Sequence, residues 1–199
     1  MHTIEDAQAD QAAMRRLAAG QEAALDELMA RHAEPLFHYL HRLLANEEDA
    51  EDLAQETFVR VHQNRARFRP AEKFTTWLYT IATNLARNRH RWRTRHPNVS
   101  LDTTADDSGA SLGDLLPSPD REPAEALAGQ ETQAAVRNAV GQLPEDLRMA
   151  IILCEWQELS LAEAADILNT TIKAVESRLY RARKQLRAAL VRYLPASAC

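Results

Sequence analysis

Between Ile172 and Leu190 the chain spaces Lys173, Ser177, Tyr180, Arg181 and Lys184 so that, at about 100° per residue, they share one side of a helix. Arg178 and Arg187 flank that side, and Glu176 is the only acid in the segment. Ile172, Val175, Leu179, Ala182, Leu186 and Leu190 make the opposite, apolar stripe. Solvated helix faces usually mix signs to gain i,i+4 pairs, whereas this one is nearly all positive. Such a face suits a polyanion, because each Lys or Arg beside a phosphate releases condensed counterions.

A second concentration lies in "TTWLYTIATNLARNRHRWRTRH", residues 75–96. Thr80, Thr83, Asn84, Arg87, Asn88 and Arg91 are expected on its polar side, with Leu78, Ile81, Leu85 and Trp92 turned inward. Phe68 stands in the preceding loop. Arg and Asn interleaved with aromatics suit single-stranded DNA, whose unstacked bases lie on π faces and expose their pairing edges. For Trp77 and Phe68 the alternative is ordinary core. A third cluster is acidic: Glu47, Glu48, Asp49, Glu51, Asp52 and Glu56, with Arg60 the first base. That face is either solvated or a docking surface for a basic protein.

The elements that must position these clusters are helical. Hydrophobic residues make up 45% of the chain and only five glycines interrupt it, so the fold class expected is all-α, with two small helical domains. Apolar periodicity runs almost throughout residues 8–96, including 23–45, where Pro35 can bend the helix, and 47–64. Residues 97–130 hold four prolines and seven acids against the single Arg121, the composition of a flexible acidic linker. Beyond it, a helix beginning near Pro144 precedes "SLAEAADIL", in which Ser160 and Glu163 have capping-box spacing. The break at residues 169–172, with Thr171 as N-cap, then opens the basic helix. Short helix, tight turn and longer basic helix form a helix-turn-helix whose second helix enters a major groove. The boundaries expected are therefore 1–96, 97–130 and 131–199.

The formal net charge of −5 argues against nucleic acid until its distribution is considered. Residues 87–95 carry five arginines and no acid, and local patches are what a phosphate backbone feels. Cys154 and Cys199 lack CxxC spacing, which excludes a disulfide framework or zinc finger; Cys154 is expected to be a buried small hydrophobe. His38 and His41 lie at i,i+3 with His32 nearby, but no acid completes a metal set, so these are expected to be surface histidines. We find no nucleophile constellation and no phosphate-binding Gly loop, and hence expect no catalytic residue, metal or cofactor. Neither a signal segment nor a membrane-spanning apolar run is visible, so a cytoplasmic protein without membrane insertion is expected.

Three segments carry a family resemblance: "DAEDLAQETFVRVHQ" (49–63), "FTTWLYTIATNLARNRHR" (74–91) and "LSLAEAADILNTTIKAVESRLYRARKQL" (159–186). In this order, with a linker between the second and third, they resemble the extracytoplasmic-function sigma factors of the sigma-70 family. The resemblance implies a bacterial sigma factor that directs core RNA polymerase to promoters and is held in check by an anti-sigma factor. It implies that Asp49, Asp52, Gln55 and Glu56 dock onto the β′ clamp helices of the polymerase, and that the β flap is a further contact. Phe68, Asn84, Arg87 and Asn88 match positions that read the melted −10 element on the non-template strand. Ser177, Arg178, Tyr180 and Arg181 match positions that contact the −35 duplex, while Lys173, Lys184 and Arg91 join these sets from the face pattern above. The acidic linker resembles a segment that threads toward the active-site cleft and RNA exit path.

Glu176 departs from the basic residue common in the family. It can accept from cytosine N4, or pair with Arg183 or Lys173, and pairing is the favoured expectation. The main rival is a helix-turn-helix regulator that never joins polymerase. That reading leaves the acidic helix and residues 75–91 without a task.

Overall fold

The computed structural model describes residues 4–69, 72–95 and 123–193, and all regular structure among them is helical. The helices are α1 (Ile4–Ala18), α2 (Ala23–Leu44), α3 (Glu47–Gln63), α4 (Phe74–Arg95), α5 (Pro123–Gly141), α6 (Glu145–Ile151), α7 (Leu161–Leu168) and α8 (Ile172–Ala189). Residues 97–122 of the expected linker lie outside the described residues. Its last part, 123–130, is helical backbone continuous with the rest of α5.

The first four helices form a bundle around Leu28, Leu36, Tyr39, Leu40, Phe58, Val61, Phe74 and Leu78, all buried. Pro35 sits inside α2, which continues to Leu44. Thr83 differs from expectation: it is fully buried, and its hydroxyl shares a 2.7 Å hydrogen bond with the Tyr39 hydroxyl. One residue before Asn84, it is rotated about 100° from that residue, onto the side facing α2. Burial pushes the Tyr39 phenol up to about 12, which keeps it neutral. Trp92 departs in the other direction and is 47% exposed, because the last turns of α4 meet the acidic start of α3 rather than apolar core. His32 is likewise not on the surface; it is buried, and Nε2 lies 2.8 Å from the Asp10 carboxylate.

In the second domain α6 runs into a single π-helical turn, Ile152–Trp156, and the chain then enters the helix-turn-helix. The capping box at Ser160 and Glu163 forms as the spacing predicts. Asn169 takes the left-handed conformation at φ 50°, supplying the turn that a Gly often makes, and the Thr171 hydroxyl caps α8. Val175, Leu179 and Ala182 bury the apolar stripe of α8, while Ile172 in its first turn stays 48% exposed. Cys154 is half-buried rather than buried; partial burial raises its thiol pKa, so the thiol is held protonated.

The two domains pack on each other, and their buried side chains form one continuous cluster. Its polar seam joins Tyr79 to the Gln157 side chain at 2.5 Å and Lys73 to Glu163 at 2.8 Å. Arg148 donates to the carbonyls of Leu43 at 3.1 Å and Leu143 at 3.0 Å. The Leu43 carbonyl belongs to the last turn of α2, where it has no partner within its own helix. A cationic side chain suits the negative end of that helix.

Candidate nucleic-acid interface

Three surfaces meet the sequence-based expectations to different degrees. The first lies between α4 and the end of α3. There a cavity of about 250 Å³ is lined by Trp77, Ile81, Asn84, Leu85 and Asn88 from α4, with Arg60, Asn64 and Arg67 facing them. Asn84 and Asn88 are one turn apart and both exposed, so their amides offer donors and acceptors above an aromatic wall. Trp77 serves as core and wall together, half-buried against the bundle and open to the cavity. Phe68 does not line the cavity. It packs behind Trp77, with ring centroids 5.4 Å apart, and against Phe74 at 6.4 Å. Arg87 is half-buried, and Arg91 is exposed one turn beyond Asn88. Sequence reading missed Arg60, Asn64 and Arg67 as wall residues. Their signal was the i,i+4 pair of Arg60, in the last turn of α3, and Asn64, its C-cap.

The second surface is α8. Lys173, Ser177, Tyr180, Arg181 and Lys184 are all exposed along one side, Tyr180 at 70%. Arg178 departs from this group. Its side chain is only 17% exposed and reaches Asp146 at 3.1 Å, because it flanks the helix on the side that packs on α6. Arg183 is spoken for as well, pairing with Glu155 at 2.5 Å. The pairing expected for Glu176 does not form: it makes no ion pair among the described residues, and Arg183 turns away from it. Seven residues separate the two along the helix, about 10 Å of rise, while Glu155 lies directly across the groove between the helices. Tyr180, Lys184 and Arg187 also rim that groove, whose floor is Cys154, Leu161 and Leu179 and whose volume is about 700 Å³.

The third surface is α3. Asp52 is 61% exposed and Gln55 is exposed, while Glu56 pairs with Arg60 at 2.7 Å in an i,i+4 bridge. Asp49 is not on this surface. Its side chain is 5% exposed and is held between Arg89 at 2.5 Å and Arg93 at 2.6 Å. A carboxylate buried between two guanidinium groups cannot face a partner without giving up both contacts.

The two regions that carry these surfaces each match a family model: residues 28–96 match Sigma-70 region 2, and residues 133–186 match Sigma-70, region 4. The chain belongs to the sigma-70 family. It is similar to the RNA polymerase sigma-H factor of Pseudomonas aeruginosa, 34% identical over 91% of this chain and 93% of that one. It is also similar to the ECF RNA polymerase sigma factor SigW of Bacillus subtilis, 32% identical over 87% and 92%. Among solved structures, CnrH in complex with the cytosolic domain of CnrY superposes with TM-score 0.68 at 28% identity, over 92% of this chain and 98% of that one. The sigma factor RpoE in complex with the anti-sigma factor NepR from Bartonella quintana gives 0.65 at 25% identity, over 83% and 96%. This sigma factor is thus of the extracytoplasmic-function group and directs RNA polymerase to promoters. No helix among the described residues is long and apolar enough to cross a membrane.

Proposed function

We propose that this sigma factor divides promoter recognition between α8 and α4, and polymerase docking onto α3. In this reading residues 1–96 form the region that binds polymerase and the −10 element, and 131–199, extended back through α5, form the −35 reader. The observation that carries it is the cavity beside Asn84 and Asn88. An open concavity with an indole wall and two neighbouring amides is suited to one unstacked base, read on its pairing edge. Duplex DNA cannot offer such a base, so the cavity calls for a strand being separated. The duplex-binding regulator would leave it idle.

Lys173, Ser177, Tyr180, Arg181 and Lys184 then lie along the major groove of a −35 element. Asp52, Gln55 and Glu56 present the acidic face to the β′ clamp helices, and α8 with its groove lies toward the β flap. Catalysis belongs to the polymerase, and the protein works in the cytoplasm. An anti-sigma factor controls it; the described neighbours, one of them bound to a named anti-sigma factor, support that partner class.

The test is capture of bacterial core RNA polymerase by the purified chain. Wild type is expected to bind stoichiometrically. Asp52→Lys with Glu56→Lys is expected to lose roughly a hundredfold or more, since like charges set against each other cost several kcal/mol. No capture by wild type would return the reading to the duplex-binding regulator.

A further inference from the structure

Of the five arginines between residues 87 and 95, two lie against an acid of α3: Arg89, 32% exposed, and Arg93, 49% exposed. Arg89 and Arg93 are four residues apart and so share a side of α4. Both reach Asp49: Arg89 Nη1 lies 2.5 Å from Oδ1, and Arg93 Nη2 lies 2.6 Å from Oδ2. Asp52 adds a longer contact, 3.9 Å from Arg89. Asp49 sits in the first turn of α3, where its backbone N–H donates to the Asn46 cap at 2.7 Å. Its carboxylate is therefore placed by the helix start, and it is almost wholly withdrawn from water.

Arg91 stands between the two in sequence, about 200° from each around the axis. It is exposed, on the side of Asn84 and Asn88, and makes no ion pair among the described residues. One helix thus carries two sets of arginines, separated by which of them an acid of α3 meets. Either arginine can leave Asp49 for a phosphate only by giving up a close contact with a buried carboxylate, which the other arginine would then hold alone.

We propose that Asp49 is a specificity-determining residue for recognition of the melted strand, acting as an internal counter-ion that withholds Arg89 and Arg93 from nucleic acid. The tail of α4 then offers Arg91 and the two amides to the strand, and the sequence-blind attraction of the arginine-rich segment is cut down. This rests on the reading of α4 as the single-strand reader. It assigns Asp49 to positioning and not to polymerase docking.

The measurement is binding of full-length chain to oligo(dT) of about 20 nucleotides, with the slope of log affinity against log salt taken between about 50 and 300 mM KCl. Asp49→Asn removes the charge and keeps the shape. It should bind more tightly at low salt, with a slope steeper by about 0.7 for each arginine released. Core-polymerase capture should stay within twofold. Because Asp49→Asn can weaken the fold, a second pair leaves the buried carboxylate in place. Arg91→Gln should flatten the wild-type slope by about 0.7, while Arg93→Gln should barely change it.

An unchanged slope in folded Asp49→Asn, or equal flattening by Arg91→Gln and Arg93→Gln, overturns the proposal. Loss of polymerase capture in Asp49→Asn with an unchanged slope also overturns it and makes Asp49 a docking residue. A steeper slope in Asp49→Asn, with wild type unable to capture polymerase, supports the counter-ion role and removes the sigma-factor division of labour instead.

Discussion

Helices α4 and α8, the two proposed to meet nucleic acid, offer similar materials and different shapes. Each is rich in arginine, and in each an acid from a neighbouring helix claims the flanking cations. Asp49 takes Arg89 and Arg93 on α4, whereas Asp146 takes Arg178 and Glu155 takes Arg183 on α8. What remains differs. On α8 it is a convex ridge of Lys173, Tyr180, Arg181 and Lys184, which can follow a groove. On α4 it is a hollow walled by Trp77, Asn84 and Asn88, which can hold one base. The charge a helix contains is thus a poor measure of the charge it presents. The partner acids decide what a ligand meets.

The largest effect that would sharpen this contrast is on the ridge. Arg181→Ala is expected to weaken −35 duplex binding by about 1–3 kcal/mol if the guanidinium makes a bidentate base contact. It should leave capture of the melted strand unchanged. Titrations of holoenzyme with a duplex carrying the −35 half alone, and with the melted strand, would read both quantities. An equal loss on duplex and single strand would break the distinction between ridge and hollow.

Next in size is the hollow. Asn84→Ala removes an exposed amide from a wall that Trp77 and Ile81 keep in place, so the fold should hold. The expected loss is that of one hydrogen bond, about 0.5–1.5 kcal/mol, confined to single-stranded −10 DNA. Duplex affinity should not change. Comparison of holoenzyme binding to the non-template strand and to closed duplex would check it.

A smaller effect separates presented cations from claimed ones on the same helix. Arg183→Gln removes a residue already paired with Glu155 and should alter duplex affinity by less than about 0.5 kcal/mol, since exposed pairs are worth little. Set beside Arg181→Ala in one titration, it tests whether pairing sorts the cations of α8. Equal losses would show that the Glu155 pair opens when DNA arrives.

How much of this was legible in the sequence follows from what periodicity encodes. The apolar stripe of α8, the capping box at Ser160 and Glu163, and the exposure of Asn84 and Asn88 are local, fixed by the turn of one helix. Angles about a helix axis say which side faces away from the core. They do not say which neighbour arrives on the other side. Asp49 and Arg89 are 40 residues apart and Arg178 and Asp146 are 32, so nothing near either residue announced the pairing. The same limit placed Thr83 on the polar side, one position from Asn84, when Tyr39 of α2 was waiting for its hydroxyl. The walls of the cavity were half legible: α4 supplied the residues that its own pattern exposed, while Arg60 of α3 and, just beyond its end, Asn64 and Arg67 came unannounced.

A further small effect, on stability, lies where the two regions touch. Glu163, the capping-box acid of α7, also accepts a hydrogen bond from Lys73 just before α4, so one carboxylate serves both regions. Partial burial pushes its pKa up, but the hydrogen bonds from Lys73 and from Ser160 outweigh that and hold it below the ordinary 4.5. A carboxyl with a depressed folded-state pKa binds its proton less readily folded than unfolded. Its stabilisation is then fully present above 4.5 and fades as pH falls through the lowered folded-state value. Glu163→Gln keeps an oxygen for the Ser160 N–H and loses the charge facing Lys73. Wild type should therefore melt slightly higher than the variant at neutral pH, by less than about 1 kcal/mol of stability, with the difference closing only in the acid range below 4.5. Melting curves of both proteins from neutral pH downward would show it. A difference that closed well above that range would mean that Lys73 does not hold Glu163 in solution, and that the contact between the α4 region and the α7–α8 region rests on Tyr79, Arg148 and the shared apolar core alone.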